Sequence, residues 1–252
     1  MNILHAIILG IIEGLTEFLP ISSTAHLIIA NKLLGLTEND FLKSFDIYIQ
    51  LGAILAVIVL YAKKLLISRK LFMRVVWAFV PTAIIGLVAY PLVKNYLLGN
   101  LFITALALII GGIVMILFEV FFKARVENEN ISYQQSIGVG FFQALAVIPG
   151  VSRSAATIIG GQALGLSKKT IVEFSFLLAI PTMAAASGLD IIKSNASFSA
   201  HEWQLLATGF IAAFLTALIA IRAFLRYIEK HSFASFGWYR IIIGLFIILF
   251  LL

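Results

Sequence analysis

Long hydrophobic runs separated by short polar segments dominate the chain. A helix needs about 20 consecutive apolar residues to cross a bilayer, and somewhat fewer where the span is short. Six runs come close to that length: Phe45–Tyr61, Val75–Val93, Leu101–Phe122, Ile171–Ile192, Trp203–Ile221 and Phe236–Leu252. The pattern predicts an all-α integral membrane protein with six transmembrane helices.

Two further apolar regions, 3–36 and 136–166, are interrupted near their centres by Pro20 and by Pro149-Gly150. Proline removes a backbone donor and clashes with the preceding turn, and glycine adds backbone freedom, so a helix stops at these positions. Each half is too short to cross the bilayer alone. We therefore predict two re-entrant helical hairpins, with turns at membrane depth where protein or water covers them.

An internal repeat links the two hairpins, because a shift of 130 residues places 10–36 on 140–166 without a gap. The interruptions fall at the same place, and Ser22 meets Ser152. Chance identity between two apolar segments accounts for part of this match. The shared position of the break and of the hydroxyl groups favours a true internal repeat.

Basic residues cluster between the hydrophobic runs and indicate how the chain is oriented. The positive-inside rule places two loop clusters in the cytoplasm, and these contain Lys63, Lys64, Arg69, Lys70, Arg74, Arg222, Arg226 and Lys230. Threading the spans alternately puts Lys123 and Arg125 inside as well, with the first hairpin entering from outside and the second from the cytoplasm. This predicts one membrane domain, 1–252, whose halves, about 1–125 and 126–252, form an inverted-topology repeat with a site at their interface.

The composition excludes most other classes of protein. Hydrophobic residues make up 62% of the chain and charged residues 12%, about half the charged share of soluble domains. The net charge of +6 does not indicate a nucleic-acid partner, because the cations lie in short loops and no nucleic-acid motif is present. The absence of cysteine excludes disulfides and thiolate metal sites.

Two carboxylates, Glu13 and Glu17, lie four residues apart in the first hairpin. A helix places both on one face, and two anions in an apolar environment repel each other strongly. A shared proton, a bound divalent cation such as Mg²⁺, or the guanidinium of Arg153 would each relieve that repulsion. The alternative is a solvated helix face, although nothing else on that helix is charged.

Hydroxyl groups crowd the start of the second short helix, at Ser22, Ser23 and Thr24. Such hydroxyls commonly cap free backbone N–H groups, and the same helix start also attracts phosphate through its N–H groups and dipole. His26 follows Ser22 by four residues and Ser23 by three, so its ring can reach either hydroxyl. It is either a satisfied core histidine or a catalytic group beside hydroxyls and acids.

The second hairpin has an analogous helix start, with Gly150, Ser152, Arg153 and Ser154. Arg153 is the only cation between Arg125 and Lys168. Its side chain either extends towards the membrane interface or holds a phosphate. The second alternative is chemically suitable because the planar fork of donors matches a phosphoryl group. As one set, the two helix starts, the arginine, the acids, the hydroxyls and the histidine indicate a phosphate site with hydrolytic groups.

The sequence resembles the undecaprenyl-pyrophosphate phosphatases of the bacitracin-resistance type. The similarity lies in EGLTEFLPISSTAH at 13–26 and PGVSRSAATI at 149–158, with supporting segments at 49–57 and 174–181, and it extends over essentially the whole chain. Ala25 and Ala155 occupy equivalent positions at which members of the family often have glycine. A side chain at these positions affects how closely the backbone can approach a phosphate.

This resemblance implies an enzyme of the bacterial inner membrane that removes the terminal phosphate of the lipid undecaprenyl pyrophosphate. It implies a site that faces the periplasmic side and a need for a divalent cation, for which we expect Mg²⁺, with Ca²⁺ as the alternative. The family's essential residues correspond to Glu13, Glu17, Ser23, His26, Ser152, Arg153 and Thr157.

We therefore assign expected roles to the residues of both hairpins. The expected catalytic residues are Glu17, Ser23, His26 and Arg153; the expected substrate-binding residues are Ser22, Thr24, Gly150, Ser152, Ser154 and Thr157; the expected metal ligands are Glu13 and Glu17. In the first scheme Ser23 attacks phosphorus with His26 as general base. Two other schemes stay open, in which His26 or water is the nucleophile.

A transporter or flippase of polyprenyl phosphates is the rival interpretation, since inverted repeats with broken helices also occur in secondary transporters. A purely structural membrane scaffold leaves the charges inside the membrane unexplained. Transport needs binding groups but no nucleophile beside a base, so the serine, histidine and glutamate set favours an enzyme. The sequence leaves open the preferred lipid chain length and whether two chains form a homodimer.

Overall fold

A computed structural model describes residues 1–37, 39–97, 99–122, 129–194 and 198–252, and the regular elements within these ranges are helical. The α-helices are α1 Ile3–Thr16, α2 Ser23–Leu33, α3 Asp40–Ile67, α4 Arg69–Leu92, α5 Leu101–Phe121, α6 Tyr133–Ala144, α7 Arg153–Ala163, α8 Lys168–Ser194, α9 Ala200–Ile228 and α10 Ala234–Phe250. A π-helical turn, Val93–Leu97, extends α4, and a 3₁₀ turn, Leu145–Val147, extends α6.

Within the described ranges, five helices are long and apolar enough to cross a membrane, namely α3, α4, α5, α8 and α9. Each covers one of the predicted runs to within one residue, so a multi-pass, all-α membrane protein is confirmed. The sixth run, Phe236–Leu252, forms the 17-residue helix α10. At 1.5 Å per residue its length is about 26 Å, a little short of the hydrocarbon core.

Both predicted interruptions are confirmed. α1 ends at Thr16 and α2 begins at Ser23, while the second break separates α6 with its 3₁₀ turn from α7. The residue before each second helix has left-handed backbone, with φ of 71° at Ser22 and 66° at Ser152. Residues other than glycine rarely adopt this conformation, because it strains the backbone. The same irregular turn therefore recurs at equivalent positions of the two hairpins.

Apart from Lys230, which lies in the connection after α9, the basic clusters lie on helix ends rather than in loops. α3 runs to Ile67 and α4 starts at Arg69, so Ser68 alone separates them, and Arg222 and Arg226 belong to the last turns of α9. The prediction of loops was wrong because these helices continue past their apolar runs. Lys123, Arg125 and the predicted boundary between the halves at 125/126 lie outside the described residues.

Small residues bring the first hairpin against the bundle. α1 packs on α9, and Gly10 and Gly14 lie on the contact face. A Cβ added at Gly10 would lie 2.9 Å from the Cβ of Ala212, and one at Gly14 would lie 2.9 Å from the backbone nitrogen of Ala217. Small residues four apart allow helix backbones to approach this closely in membranes.

The two hairpins pack on equivalent partners of the opposite half. α1 of the first hairpin packs on α9, whereas α6 of the second packs on α4. α3 and α8, which follow the hairpins in the chain, contact each other, and α5 packs along α10. This exchange of partners places both hairpin turns inside the bundle, where they can meet.

Candidate active site

The tips of the two hairpins are in direct contact. The hydroxyl of Ser154, in the first turn of α7, donates to the backbone carbonyl of Phe18 at 2.8 Å. An ion pair crosses the same boundary, with Arg153 Nη2 3.2 Å from Glu17 Oε1. The prediction that Arg153 reaches the acidic residues of the first hairpin is therefore confirmed for Glu17.

Glu17 connects a hydroxyl to the guanidinium. Ser23 donates its Oγ proton to Glu17 Oε2 over 2.5 Å, a length typical of a strong hydrogen bond from a hydroxyl to a carboxylate. The other carboxylate oxygen accepts from Arg153. The side chains of Arg153 and Glu17 are only 10% and 9% exposed, so this pairing is largely shielded from water and its electrostatic interactions are strong.

Contacts from other helices orient Arg153. Its Nη1 donates to the backbone carbonyl of Ser175 on α8 at 2.9 Å, and the guanidinium carbon lies 5.8 Å from the centre of the Phe18 ring. One planar group therefore links α8 with both hairpins. The alternative, in which Arg153 extends to a membrane interface, is wrong because carbonyl and carboxylate partners hold it in the interior.

His26 does not contact the hydroxyl groups that its spacing predicts. Its Nδ1 lies 2.8 Å from the backbone carbonyl of Ser22, and its Nε2 lies 2.8 Å from the hydroxyl of Tyr239. A carbonyl only accepts, so Nδ1 carries a proton; in the neutral ring Nε2 then accepts from the hydroxyl of Tyr239. The predicted hydrogen bond to Ser23 is wrong, since the carbonyl one turn earlier is the nearer acceptor and Glu17 already binds that hydroxyl.

Glu13 lies in the interior of the first hairpin. The side chain is fully buried, and neither carboxylate oxygen has a hydrogen-bond partner. The charges of Glu17 and of Asp46 on α3 both act on it. Across the described part of the chain, no group of three or more histidine, cysteine, aspartate or glutamate side chains is placed to hold a metal ion.

A cavity of about 640 Å³ opens beside the joined turns. Its polar lining comes mainly from the hairpins and includes seven predicted site residues: Glu17, Ser22, Ser23, Thr24, Gly150, Ser152 and Arg153. Its apolar lining comes mainly from α4, α8 and the second turn, and includes Phe79, Leu87, Ile148 and Met183. Such a cavity can hold a phosphorylated head group together with the start of an apolar chain.

Two predicted substrate-binding residues lie behind the cavity wall. Ser154 and Thr157 are fully buried, and neither belongs to the cavity lining. The hydroxyl of Thr157 lies 2.6 Å from that of Ser175, and the backbone carbonyl of Ser175 accepts a hydrogen bond from Arg153. Their direct contact with substrate stays a prediction, and the structure gives both residues a supporting position.

The two helix starts use their serines differently. Ser152 caps α7, since its hydroxyl accepts from the backbone N–H of Ala155 at 3.2 Å. Ser22 makes no side-chain capping bond to α2. Under the shift of 130 residues, Ser23 and Arg153 are equivalent positions. At the first residue of equivalent helices, the first half therefore contributes a hydroxyl and the second half a cation.

Sequence comparison places the chain in a family. The model of the family described as bacitracin resistance protein BacA matches residues 6–246. The chain belongs to the BacA family. It is 50% identical over 244 residues to an undecaprenyl-diphosphatase of Aquifex aeolicus, which covers 96% of this chain and 95% of the relative. It is also 49% identical over 257 residues to an undecaprenyl-diphosphatase of Persephonella marina, with 100% of both chains covered.

In this BacA-family chain, sequence reasoning missed polar residues outside the two motifs. Tyr239 and Arg240 lie on α10, and Gln143 donates from its Nε2 to the hydroxyls of Thr82 and Thr182 at 3.0 and 2.9 Å beside the cavity. One signal was available for Arg240, because it is the only charged residue in the run 236–252. The argument that singled out Arg153 applies to it equally.

Proposed function

We propose that this protein is a membrane phosphatase that hydrolyses undecaprenyl pyrophosphate to undecaprenyl phosphate and inorganic phosphate. The observation that carries the proposal is the set formed by Ser23, Glu17 and Arg153 on the wall of a cavity with an apolar side. The names of the relatives agree with this activity. The product is the lipid carrier for cell-wall synthesis, and its recycling accounts for bacitracin resistance in the family.

We propose Glu17 as the general base, because its carboxylate accepts the hydrogen bond of the Ser23 hydroxyl. In the proposed reaction Ser23 Oγ attacks the terminal phosphorus while its proton passes to Glu17 Oε2, the oxygen it already contacts. The bond from that phosphorus to the bridging oxygen breaks, and undecaprenyl phosphate leaves. Water then attacks the phosphoserine, the bond from phosphorus to Ser23 Oγ breaks, and Glu17 returns its proton to Oγ as inorganic phosphate leaves. Such transfer depends mostly on positioning and electrostatics, which Arg153 supplies through its charge and its fork of donors.

His26 acts as a positioning residue in this scheme. Its Nδ1–H group holds the carbonyl of Ser22, the residue with strained backbone immediately before Ser23. Its Nε2 lies 2.8 Å from the hydroxyl of Tyr239, so the ring is fixed from both sides. With His26 as nucleophile, Nε2 would have to leave the hydroxyl of Tyr239, whereas direct attack by water leaves the ring in place.

The residues present fit a divalent cation. Mg²⁺ commonly binds one or two carboxylates together with substrate phosphates, and the buried carboxylate of Glu13 has two oxygens without partners. We propose that Glu13 and Glu17 hold Mg²⁺, with Ca²⁺ as the alternative. When bound, the cation neutralises charge on the pyrophosphate and on the two carboxylates.

Chelation provides a test of this cation site. Treatment with a chelator is expected to lower the rate of phosphate release by at least about tenfold, and added Mg²⁺ is expected to restore it, because substrate charge is then no longer compensated. Glu13→Gln is expected to raise the Mg²⁺ concentration for half-maximal rate by at least about tenfold. Glu229→Gln removes an exposed carboxylate and serves as the control. A full rate in chelator would instead leave Glu13 as a protonated acid.

For the membrane arrangement, we propose six spans and two re-entrant hairpins in an inverted repeat, in the bacterial inner membrane. The exchange of helix partners between the halves supports this, and so does the repeated strain at Ser22 and Ser152. The basic helix ends then face the cytoplasm. We place the opening of the cavity towards the outer face, where polyprenyl pyrophosphate can enter sideways from the membrane lipid.

Phosphate release in detergent distinguishes the enzyme from a transporter or flippase. The purified protein, in micelles without separate compartments, is expected to release inorganic phosphate from polyprenyl pyrophosphates with repeated turnover. A transporter has nothing to move between compartments in this assay and releases none. The absence of release in the presence of Mg²⁺ would contradict the phosphatase and favour transport of polyprenyl phosphates.

A further inference from the structure

Arg240 on α10 is fully buried and binds only backbone carbonyls. Its guanidinium donates to five of them: Leu108 at 3.4 Å, Pro20 at 3.2 Å, Val151 at 3.0 Å, Ala107 at 3.1 Å and Gly150 at 3.0 Å. No carboxylate among the described residues forms an ion pair with it. A buried cation without a counter-ion is costly, so these carbonyl dipoles must compensate its charge.

The five carbonyls belong to three separate segments. Pro20 lies in the turn of the first hairpin, Gly150 and Val151 lie in the turn of the second, and Ala107 and Leu108 lie on α5. Carbonyls in irregular turns have no regular helical partner, and a buried one that stays unpaired is costly. Arg240 therefore satisfies both broken turns at once and ties them to one side of a long helix.

Resting on the proposed phosphatase function, we propose that Arg240 is a positioning residue that sets the distance between the reacting groups of the two hairpins. Pro20 lies three residues before Ser23, and Val151 lies two residues before Arg153. Both carbonyls bind the same nitrogen, Nη1. Because the guanidinium is planar and rigid, it fixes the separation of the turns, and with it the placement of Ser23 relative to Arg153.

Gly111 on α5 allows the guanidinium to reach its position. A Cβ added at Gly111 would lie 2.9 Å from Arg240 Cζ and 3.3 Å from its Nε. Alanine at this position would displace the guanidinium while leaving Arg240 chemically unchanged. Alanine also favours a helix more than glycine does, so α5 itself would not be weakened. Gly111→Ala therefore tests the effect of moving the guanidinium, whereas substitution of Arg240 tests the effect of removing it.

Kinetics with a soluble short-chain polyprenyl pyrophosphate test the role in catalysis. Gly111→Ala and Arg240→Gln are each expected to lower kcat by about a hundredfold, with KM within about threefold of the parent, since a displacement near 1 Å has this effect on rate. Arg240→Lys, which keeps the charge but has fewer donors, is expected to lose about tenfold. Gly188→Ala is the matched glycine control because nothing lies within 4 Å of the added Cβ, and Arg222→Gln removes an exposed charge.

A distance measurement tests the clamp without any substrate. The chain has no cysteine, so spin labels on Leu15→Cys and Leu145→Cys report only these two sites, which are 42% and 54% exposed next to the two turns. The distance distribution between them is expected to be narrow in the parent and to shift or broaden in Gly111→Ala and Arg240→Gln. The two controls should keep the parent distribution.

Several results would overturn this role. One is a kcat within threefold of the parent in Gly111→Ala and Arg240→Gln, and another is a reduced kcat with an unchanged distance distribution. If Arg240→Gln cannot be recovered folded, Gly111→Ala and Arg240→Lys decide by the same two readouts. A parent protein that releases no phosphate refutes the phosphatase proposal instead, and the distance distributions then still decide whether Arg240 holds the turns.

Discussion

Ser23→Ala is expected to lower kcat for phosphate release by at least about ten-thousandfold, as loss of the nucleophile does in serine hydrolases. The hydroxyl lies 2.5 Å from Glu17 Oε2 on the wall of the cavity, and we propose that it forms the bond to phosphorus. Alanine removes the attacking atom but leaves the cavity and Arg153 in place. Initial rates at saturating substrate, together with binding of substrate to the variant, provide the measurement.

Ser136→Ala is the matched control for this substitution. Ser136 is buried, as Ser23 is, and its hydroxyl donates to the backbone carbonyl of Ser132, so both substitutions remove a buried, hydrogen-bonded hydroxyl. The control is expected to keep the parent rate. A rate for Ser23→Ala within tenfold of the parent would show that this hydroxyl is not the nucleophile.

Labelled substrate separates the covalent schemes from direct attack by water. With the terminal phosphorus labelled, quenched turnover is expected to leave label on Ser23, because the phosphoserine forms before water attacks it. Label on His26 would reassign the nucleophile to the imidazole. Absence of label from the parent and from a slowly hydrolysing variant would exclude both covalent schemes and favour direct attack by water.

Arg153→Lys is expected to lower kcat/KM by between about a hundredfold and a thousandfold, the usual effect of losing a donor that stabilises developing charge. The guanidinium reaches Glu17 with Nη2 and the carbonyl of Ser175 with Nη1. An ammonium carries the same charge but cannot reproduce that planar fork. Steady-state rates over a range of substrate concentrations measure the change.

The matched control here is Arg226→Lys, at an exposed position in the last turn of α9. It makes the same chemical replacement away from the cavity and is expected to leave kcat/KM unchanged. A near-normal kcat/KM in Arg153→Lys would contradict the clamp, since charge alone would then be sufficient. An unchanged melting temperature shows that any loss reflects catalysis rather than folding.

Sequence reasoning identified the pairing of the hairpins correctly but did not find the hydrogen-bond partner of Ser23. Spacing along a helix places His26 one turn after Ser22, and this much is observed. Spacing does not indicate whether the ring contacts a hydroxyl or a carbonyl in that turn. The nearest acceptor for Ser23 is Glu17, six residues earlier across the break, and its direction depends on the irregular backbone between them.

The role of Arg240 also could not be predicted from sequence motifs. Its partners lie up to 220 positions away in the chain, and all are backbone carbonyls, which every residue has. The residue types in the sequence therefore do not indicate which carbonyls Arg240 binds. Its presence as a lone cation in an apolar run was visible, but its role required knowing that α10 packs on α5 and beside both turns.

By itself, the amino-acid sequence determined the membrane class, the two interruptions and the membership of a family, because each depends on local properties. Apolar runs of sufficient length partition into lipid, and Pro20 and Pro149-Gly150 mark the two breaks, whereas Pro81, Pro91 and Pro181 lie inside continuous helices. Only the tertiary structure decided that Glu17 binds Ser23 and Arg153 together, that Ser154 and Thr157 stand behind the cavity, and that Arg240 holds both turns. These pairings join distant segments whose relative position is set by helix packing, and helix packing depends on the whole bundle.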